Sequence, residues 1–389
     1  KDGEVLGFVP KSVIFGYGEF SESRYFAPGN KEAVSLYFDG EAVPFGSNIL
    51  FEAEGVEGLL VGCEIGEEMS VPISPSTMHA TAGATVIVNP AAISMAVGKV
   101  AYRDLHVRSL SSKLLCGYIS ANAGVGESST DLVFGGYNFI AEKGMILARS
   151  GSLAEDTLSK NSFSEEIIYG EIDVQKLRME RRRMNSFAPD EKESYLVIPF
   201  SLVQEETALS DCFSKAPFVP EDLEERAKRC EEILNIQAYG LKKRYQHIGG
   251  KNAVLGISGG LDSTLALLVT ARCFDLLGLP RENILAVTMP CFGTTQRTRS
   301  NAEVVCEELG VRFREVRIAD TVRSHFADIG HDEQTTDVTF ENAQARVRTL
   351  ELMDIANMEN GMVIGTGDLS ELALGWATYN GDHMSMYGV

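Results

Sequence analysis

The chain is poor in the features that would direct it to a membrane, a nucleic acid or an oxidising compartment. No run in its 389 residues approaches the roughly 20 consecutive apolar residues that cross a bilayer, so no membrane partner is expected. There is no basic excess. Asp and Glu number 55 against 35 Lys and Arg, a formal net charge of −20, the wrong sign for gripping a phosphate backbone. A nucleic-acid partner is therefore not expected, although local backbone dipoles leave a small nucleotide open. Cysteine is sparse and odd in number: seven residues, at 63, 116, 212, 230, 273, 291 and 306, none in a CxxC pair. Scattered thiols point to a reducing, cytoplasmic compartment and away from a zinc site. The first residues read as a strand and a loop, not a signal peptide. No internal repeat or low-complexity tract is present, and tryptophan occurs once, at Trp376.

What is present describes a globular α/β protein. Hydrophobic residues make up 44% and charged residues 23%, enough for real cores, and the length suits two domains. Residues 1–205 alternate short β-rich runs with helical stretches. The expected strands are Glu4–Val9, Val34–Phe38, Gly58–Cys63, Ala84–Val88, Gly117–Ala121, Asn138–Ala141, Met145–Ala148 and Tyr195–Ile198, with a helix over Val100–Leu115. That alternation predicts an α/β layered domain. Residues 206–222, with two prolines and little periodicity, read as a linker. From 223 to 389 the pattern is strongly βαβ. Strands at Ala253–Ile257, Ile284–Met289, Val311–Ile318 and Met362–Gly365 are separated by helices at Leu261–Leu277, Arg297–Leu309 and Val338–Asn357. Continuously apolar strands joined by helices predict a doubly wound parallel sheet.

Gly256 and Ile257 end the first of those strands, and Ser258-Gly259-Gly260-Leu261-Asp262-Ser263 leads straight into a helix. Glycines let consecutive N–H groups point into one concavity, and the helix adds its positive end. That suits a pyrophosphate. There is no Gly-Lys-Ser/Thr, so this is not a Walker A loop. Asp262 would repel phosphate unless a divalent cation stood between them, which makes it a natural Mg²⁺ ligand. The plainer reading is a helix start whose glycines only make a tight turn.

The strand–SGGxDS–helix arrangement resembles the ATP pyrophosphatase loop shared by GMP, asparagine, argininosuccinate and NAD synthetases and tRNA-thiolating enzymes. Three further segments are similar to glutamine-dependent NAD synthetase: Met289–Thr295, Glu341–Arg346, and Gly365–Glu371 with Leu372–Tyr379. The resemblance implies an adenine-nucleotide alpha-hydrolase-like fold that uses ATP and Mg²⁺ to amidate deamido-NAD with ammonia. By resemblance residues 256–263 and Thr366 hold ATP, and Asp262 and Glu371 hold Mg²⁺. Asn342, Glu371, Trp376, Ala377, Thr378 and Tyr379 would contact deamido-NAD. The resemblance also leads us to expect a homo-oligomer. Read as residues alone, Glu371 also suits a solvated first-turn position, Trp376 a core anchor, and Arg346 and Arg348 surface charges as well as phosphate clamps. Another SGGxDS amidoligase, or a non-catalytic nucleotide-binding scaffold, stays open at this point.

The first half resembles the nitrilase-type glutaminase domain, an α-β-β-α sandwich with a Glu–Lys–Cys triad. Lys11 in Phe8–Ser12 matches the lysine, Tyr17 and Lys99 match glutamine contacts, and Gly124–Asp131 matches a further shared segment. The nucleophile does not match. Where the family has Glu-Ile-Cys-Glu-Asp, this chain has Glu64-Ile65-Gly66-Glu67-Glu68. Gly66 has no side chain and cannot form a thioester. Cys63, at an odd offset, points to the opposite strand face and reads as core packing. Ile93 stands at a polar glutamine contact of the family. The resemblance therefore implies an inactive glutaminase. It also implies a chain incomplete at both ends, with the triad glutamate upstream of residue 1 and further ligand contacts beyond residue 389.

Overall fold

The computed structural model describes all residues except 18–20, 125, 126, 128–131, 151–166, 188–193, 207, 209–214 and 293–295. Most of the Gly124–Asp131 segment and part of Met289–Thr295 thus lie outside the described residues. The chain divides into two compact units, Lys1–Cys212 and Phe213–Val389.

In the first unit β1 (Val34–Phe38) and β2 (Glu41–Phe45) form an antiparallel ribbon. The remaining strands are β3 (Ile49–Glu54), β4 (Leu60–Cys63), β5 (Val86–Ala91), β6 (Gly117–Asn122), β7 (Phe139–Glu142), β8 (Met145–Arg149) and β9 (Leu196–Ser201). They make one seven-stranded mixed sheet in the order β8-β7-β6-β5-β4-β3-β9. The α-β-β-α sandwich implied by resemblance has two β layers; among the described residues the first unit has the β1–β2 ribbon and this one large sheet. Three helices accompany it: α1 (Pro75–Thr81), α2 (Lys99–Lys113) and α3 (Val174–Arg183). The core forms where Leu50, Ile87 and Tyr118 meet Val107 of α2, Ala80 of α1 and Phe139. Arg181 of α3 closes this unit. Its guanidinium donates to the carbonyls of Leu115 (3.0 Å), Gly83 (3.4 Å), Ala84 (2.7 Å) and Leu114 (2.9 Å). Carbonyls left open where helices end are satisfied by one planar fork. The expected strand at Glu4–Val9 is reduced to one bridge, Phe8 with Phe45. Gly7 and Pro10 flank that bridge, and proline has no N–H to continue a ladder.

The second unit opens on α4 (Leu223–Ile248), capped by the Asp222 side chain on Glu225 N–H at 2.8 Å. Then follow β10 (Asn252–Gly256), α5 (Leu261–Leu277), β11 (Ile284–Thr288), α6 (Gln296–Leu309), β12 (Arg312–Glu315), α7 (Ala319–Ile329), α8 (Val338–Met358), β13 (Gly361–Gly365), α9 (Leu369–Leu374) and β14 (Tyr387–Gly388). The order β12-β11-β10-β13-β14 is parallel throughout. Alternate residues feed opposite cores. Ala253, Leu255, Ile284 and Ala286 pack with α4 and α5, while Val254, Leu285, Val287 and Val363 pack with α7 and α8. Both faces are covered, which explains the unbroken apolar strands. The chain runs from β10 outward to β12, then returns to the other side of β10 for β13. A crevice opens at that reversal, outside the carboxyl ends of β10 and β13. No helix among the described residues is long and apolar enough to cross a membrane.

Candidate active site

The crevice holds a cavity of about 470 Å³. Its wall includes Gly256, Ile257, Ser258, Gly260, Asp262 and Ser263 from the turn after β10, and Thr366 and Glu371 from the turn after β13. Trp376 and Ala377 also line it. Residues remote in sequence are thus gathered by the sheet reversal.

The turn after β10 is closed by its own serines. Ser258 N–H donates to Ser263 Oγ at 3.2 Å, and Gly260 N–H to Ser258 Oγ at 3.2 Å. Gly259 has φ +81°, a left-handed value that a side chain there would oppose. Thr264 Oγ1 donates to Gly260 carbonyl at 2.7 Å, which anchors the first turn of α5. The N–H groups of Leu261 and Asp262 begin that helix and have no intrahelical acceptor, so they present positive dipole to the crevice. Ser263 is buried and Leu261 is exposed. No hydrogen bond or ion pair holds the Asp262 carboxylate among the described residues.

Glu371 stands one turn into α9. Its Oε2 accepts from Asp368 N–H at 3.2 Å, while Asp368 Oδ1 accepts from Glu371 N–H at 2.7 Å. Two oxygen-bearing carboxylates in one crevice fit a hard divalent cation that keeps waters or phosphate oxygens as its other ligands. Among the described residues no group of three or more His, Cys, Asp or Glu could hold a metal by itself.

The α8 residues named from sequence meet the 376–379 segment. Thr378 Oγ1 donates to Asn342 Oδ1 at 3.0 Å, and Arg346 Nε to the Tyr379 carbonyl at 3.3 Å. Thr378, Tyr379 and Asn342 stand outside the cavity wall, while Trp376, 79% exposed, is in it and is no core anchor. Arg348 also lines the cavity, its Nε on the Met289 carbonyl at 3.4 Å. Asp382 and His383, unremarked in the sequence, line it too. They follow a turn with no periodic signal, so only the fold reveals them.

Residues 233–386 match the family model of NAD synthase. The second unit carries an NAD synthase domain. The chain is 42% identical over 400 residues to the glutamine-dependent NAD(+) synthetase of Mycobacterium leprae, covering 100% of this chain and 58% of that protein. It spans about 58% of the length of the curated relatives that it matches at 42% identity. An NH(3)-dependent NAD(+) synthetase of Thermoplasma acidophilum is 38% identical over 152 residues, 39% of this chain and 58% of that one. Among solved structures, the glutamine-dependent NAD+ synthetase of Acinetobacter baumannii in complex with ADP is 23% identical with a TM-score of 0.40, covering 100% of this chain and 60% of that chain.

Outside the synthase domain, the first unit assembles a second constellation. Glu68, almost fully buried, accepts at Oε1 from Ser12 N–H (2.6 Å), Ser12 Oγ (2.8 Å) and Val13 N–H (2.8 Å), and at Oε2 from Ile65 N–H (2.6 Å). It stitches the Lys11 segment to the turn at Gly66, a role the sequence reading missed. Lys11 Nζ pairs with Glu22 Oε1 at 2.5 Å and lies 5.0 Å from the centre of the Phe15 ring. Lys99 Nζ is 3.6 Å from Glu67 Oε1, and Tyr17 is exposed. Gly66 has φ +60°, its carbonyl accepts from Asn89 Nδ2 at 3.0 Å, and a Cβ built on it would meet nothing within 4 Å. Burial, then the charges of Glu68 and Glu64, push the Cys63 thiol up to about 12. Ile93 is buried in the core. Glu64 is enclosed beside Tyr118, whose hydroxyl donates to it, and burial pushes its carboxyl up to about 7.

Proposed function

We propose that the chain is an ATP-dependent ligase that converts deamido-NAD to NAD, taking ammonia as nitrogen donor. In this reading residues 223–389 are the synthetase domain, and residues 1–205 are a nitrilase-like glutaminase domain that no longer hydrolyses glutamine. The carrying observation is the single cavity shared by the Ser258–Ser263 turn, Thr366, Glu371 and Trp376. Backbone N–H groups at the start of α5 would bind the polyphosphate, and Asp262 and Glu371 would hold Mg²⁺. Bound there, the cation neutralises charge as pyrophosphate departs. The nicotinate carboxylate attacks the α-phosphorus, the bond to the β-phosphate oxygen breaks, and pyrophosphate leaves. Ammonia then attacks the acyl-adenylate carbon, loses a proton, and expels AMP. Asn342 and residues 376–379 would orient the deamido-NAD. The names of the relatives support the product, and the ammonia-dependent relative supports the donor. The same reading expects a cytoplasmic enzyme that associates with copies of itself, which sedimentation would show.

Gly66 carries the reading of the first unit. A hydrolytic amidase of this kind needs a thiolate at that turn, and glycine supplies none. The test is pyrophosphate release from the protein with ATP, Mg²⁺ and deamido-NAD, supplied with either ammonium or glutamine. Release with ammonium and none with glutamine is expected. No release with ammonium sinks the ligase reading. Equal release with both nitrogen sources sinks the inactive glutaminase.

A further inference from the structure

We infer that Asp368 is a positioning residue for Glu371, fixing that carboxylate for a divalent cation before the cation arrives. The inference rests on the synthetase reading. Asp368 and Glu371 form a reciprocal box: each side chain accepts the other's backbone N–H, at 2.7 Å and 3.2 Å. Such a box ordinarily serves only the helix start. Here its second half also decides the conformation of a long, rotamer-rich acid.

Nothing else within α9 fixes Glu371. The helix has six residues and none is buried; Leu369, Leu372 and Leu374 are all exposed. A helix so short is marginal without its cap. Left free, a glutamate side chain samples many rotamers, and the entropy lost in ordering it opposes cation binding. The Asp368 N–H holds Oε2, while no hydrogen bond or ion pair is formed by Oε1 among the described residues. One oxygen is therefore engaged and one is free. The engaged oxygen lies 3.8 Å from where a Cβ on Gly367 would stand, and the His383 Cβ lies 3.9 Å from that same point. Glu371 and His383 are in the cavity wall and Asp368 is not. Asp368 thus acts on the cation only through Glu371.

The test uses the whole chain and the fluorescence of its one tryptophan, Trp376, which lines the cavity. ATP is titrated in EDTA and then at increasing MgCl2. We expect Asp368→Ala to raise the Mg²⁺ concentration for half-maximal response three- to tenfold, with ATP binding in EDTA within twofold of wild type. Asp368→Ser and Asp368→Asn, which cap as well as aspartate, should stay within twofold in both conditions. A purely structural cap would weaken binding equally with and without Mg²⁺, and that result overturns the inference, as does an Asp368→Ala protein with unaltered Mg²⁺ dependence. If Glu371→Gln keeps the wild-type Mg²⁺ dependence, the metal assignment falls and the role of Asp368 falls with it. A wild-type protein whose fluorescence ignores ATP at every Mg²⁺ concentration overturns the synthetase reading itself.

Discussion

The two units differ in what their chemistry is made of. The second unit's site relies on backbone N–H groups, a helix dipole and paired carboxylates, all delivered by the crevice between β10 and β13. The first unit's site needs one reactive atom, and the position for it is a glycine. Yet the scaffold around that glycine is intact: Glu68 still stitches segment 11–13 to it, and Asn89 still holds its carbonyl. The turn keeps φ +60°, a conformation that costs a residue with a side chain about 1–2 kcal/mol. A nucleophile on such a turn is held under strain. Glycine adopts this conformation without that strain, and it brings no nucleophilic atom to the turn.

The largest effect should come from the crevice of the second unit. Asp262→Asn keeps the size of the side chain and removes its charge. Pyrophosphate release should fall about 100- to 10,000-fold, the range for removing a principal charge stabiliser of a transition state, with the melting temperature little changed. A drop below tenfold would break the comparison, because Asp262 would then be only a first-turn helix residue. Next comes scaffold against scaffold. Arg181→Ala leaves helix-terminal carbonyls in the first unit without their donor and should cost about 3 kcal/mol of stability. Thermal denaturation should register that as a shift on the order of 10 °C, while the ATP response of Trp376 persists.

The same contrast governed what the sequence disclosed. The Ser258–Ser263 turn was legible because its donors are contiguous and flanked by an apolar strand and a helix. Gly66 stood out because the resemblance places a single reactive atom at that one position. Asp382 and His383 were not legible, and Arg348 stayed open between surface charge and phosphate clamp, since all three join the cavity only through the fold. Among the helices not named from sequence, α3 and α7 escaped for a different reason. α3 buries only Leu177, and α7 begins at Ile318 with no side-chain cap, so neither gives an apolar stripe and a start signal together. The expected strand over Val311–Ile318 shrank to Arg312–Glu315, because an edge strand needs only a few ladder bonds before α7 takes over. Nothing in its local sequence marks Glu68, because three of its four acceptor bonds come from Ser12 and Val13, more than fifty positions away.

Inside the first unit, two buried groups set opposite pH slopes. His79 donates from Nε2 to the Cys63 carbonyl and accepts at Nδ1 from the Tyr195 hydroxyl, each at 2.9 Å, so it is held neutral, and burial lowers it to about 4. Its contribution is present above pH 6.5 and is lost as pH falls toward 4. Glu64, raised to about 7, contributes below pH 4.5 and loses that contribution as pH rises through 7. Between those limits the slopes oppose each other. His79→Gln should leave a protein that gains stability on acidification from pH 7 to 4.5, and Glu64→Gln one that loses it from pH 6.5 to 4, each by roughly 2 kcal/mol. Urea denaturation at several pH values measures both. Parallel profiles in the two variants would show that neither group titrates as its surroundings dictate.

The smallest effect is the one that bears most directly on the comparison. Gly66→Ala and Gly66→Cys both force a side chain into φ +60°, but the space around the new Cβ is open. The only penalty is conformational, so each should lower stability by about 1–2 kcal/mol, and by the same amount. A much larger loss would mean that the turn had closed over the vacant position, and the scaffold would then be less intact than its hydrogen bonds indicate. With the stability cost matched, chemistry separates the pair. Thiolate reactivity toward a glutamine-directed alkylating reagent should appear in Gly66→Cys and not in Gly66→Ala. If Lys11 and Lys99 still shape the site, that labelling should be slowed by free glutamine. Reactivity that glutamine leaves unaffected would show that the first unit has lost its pocket as well as its nucleophile.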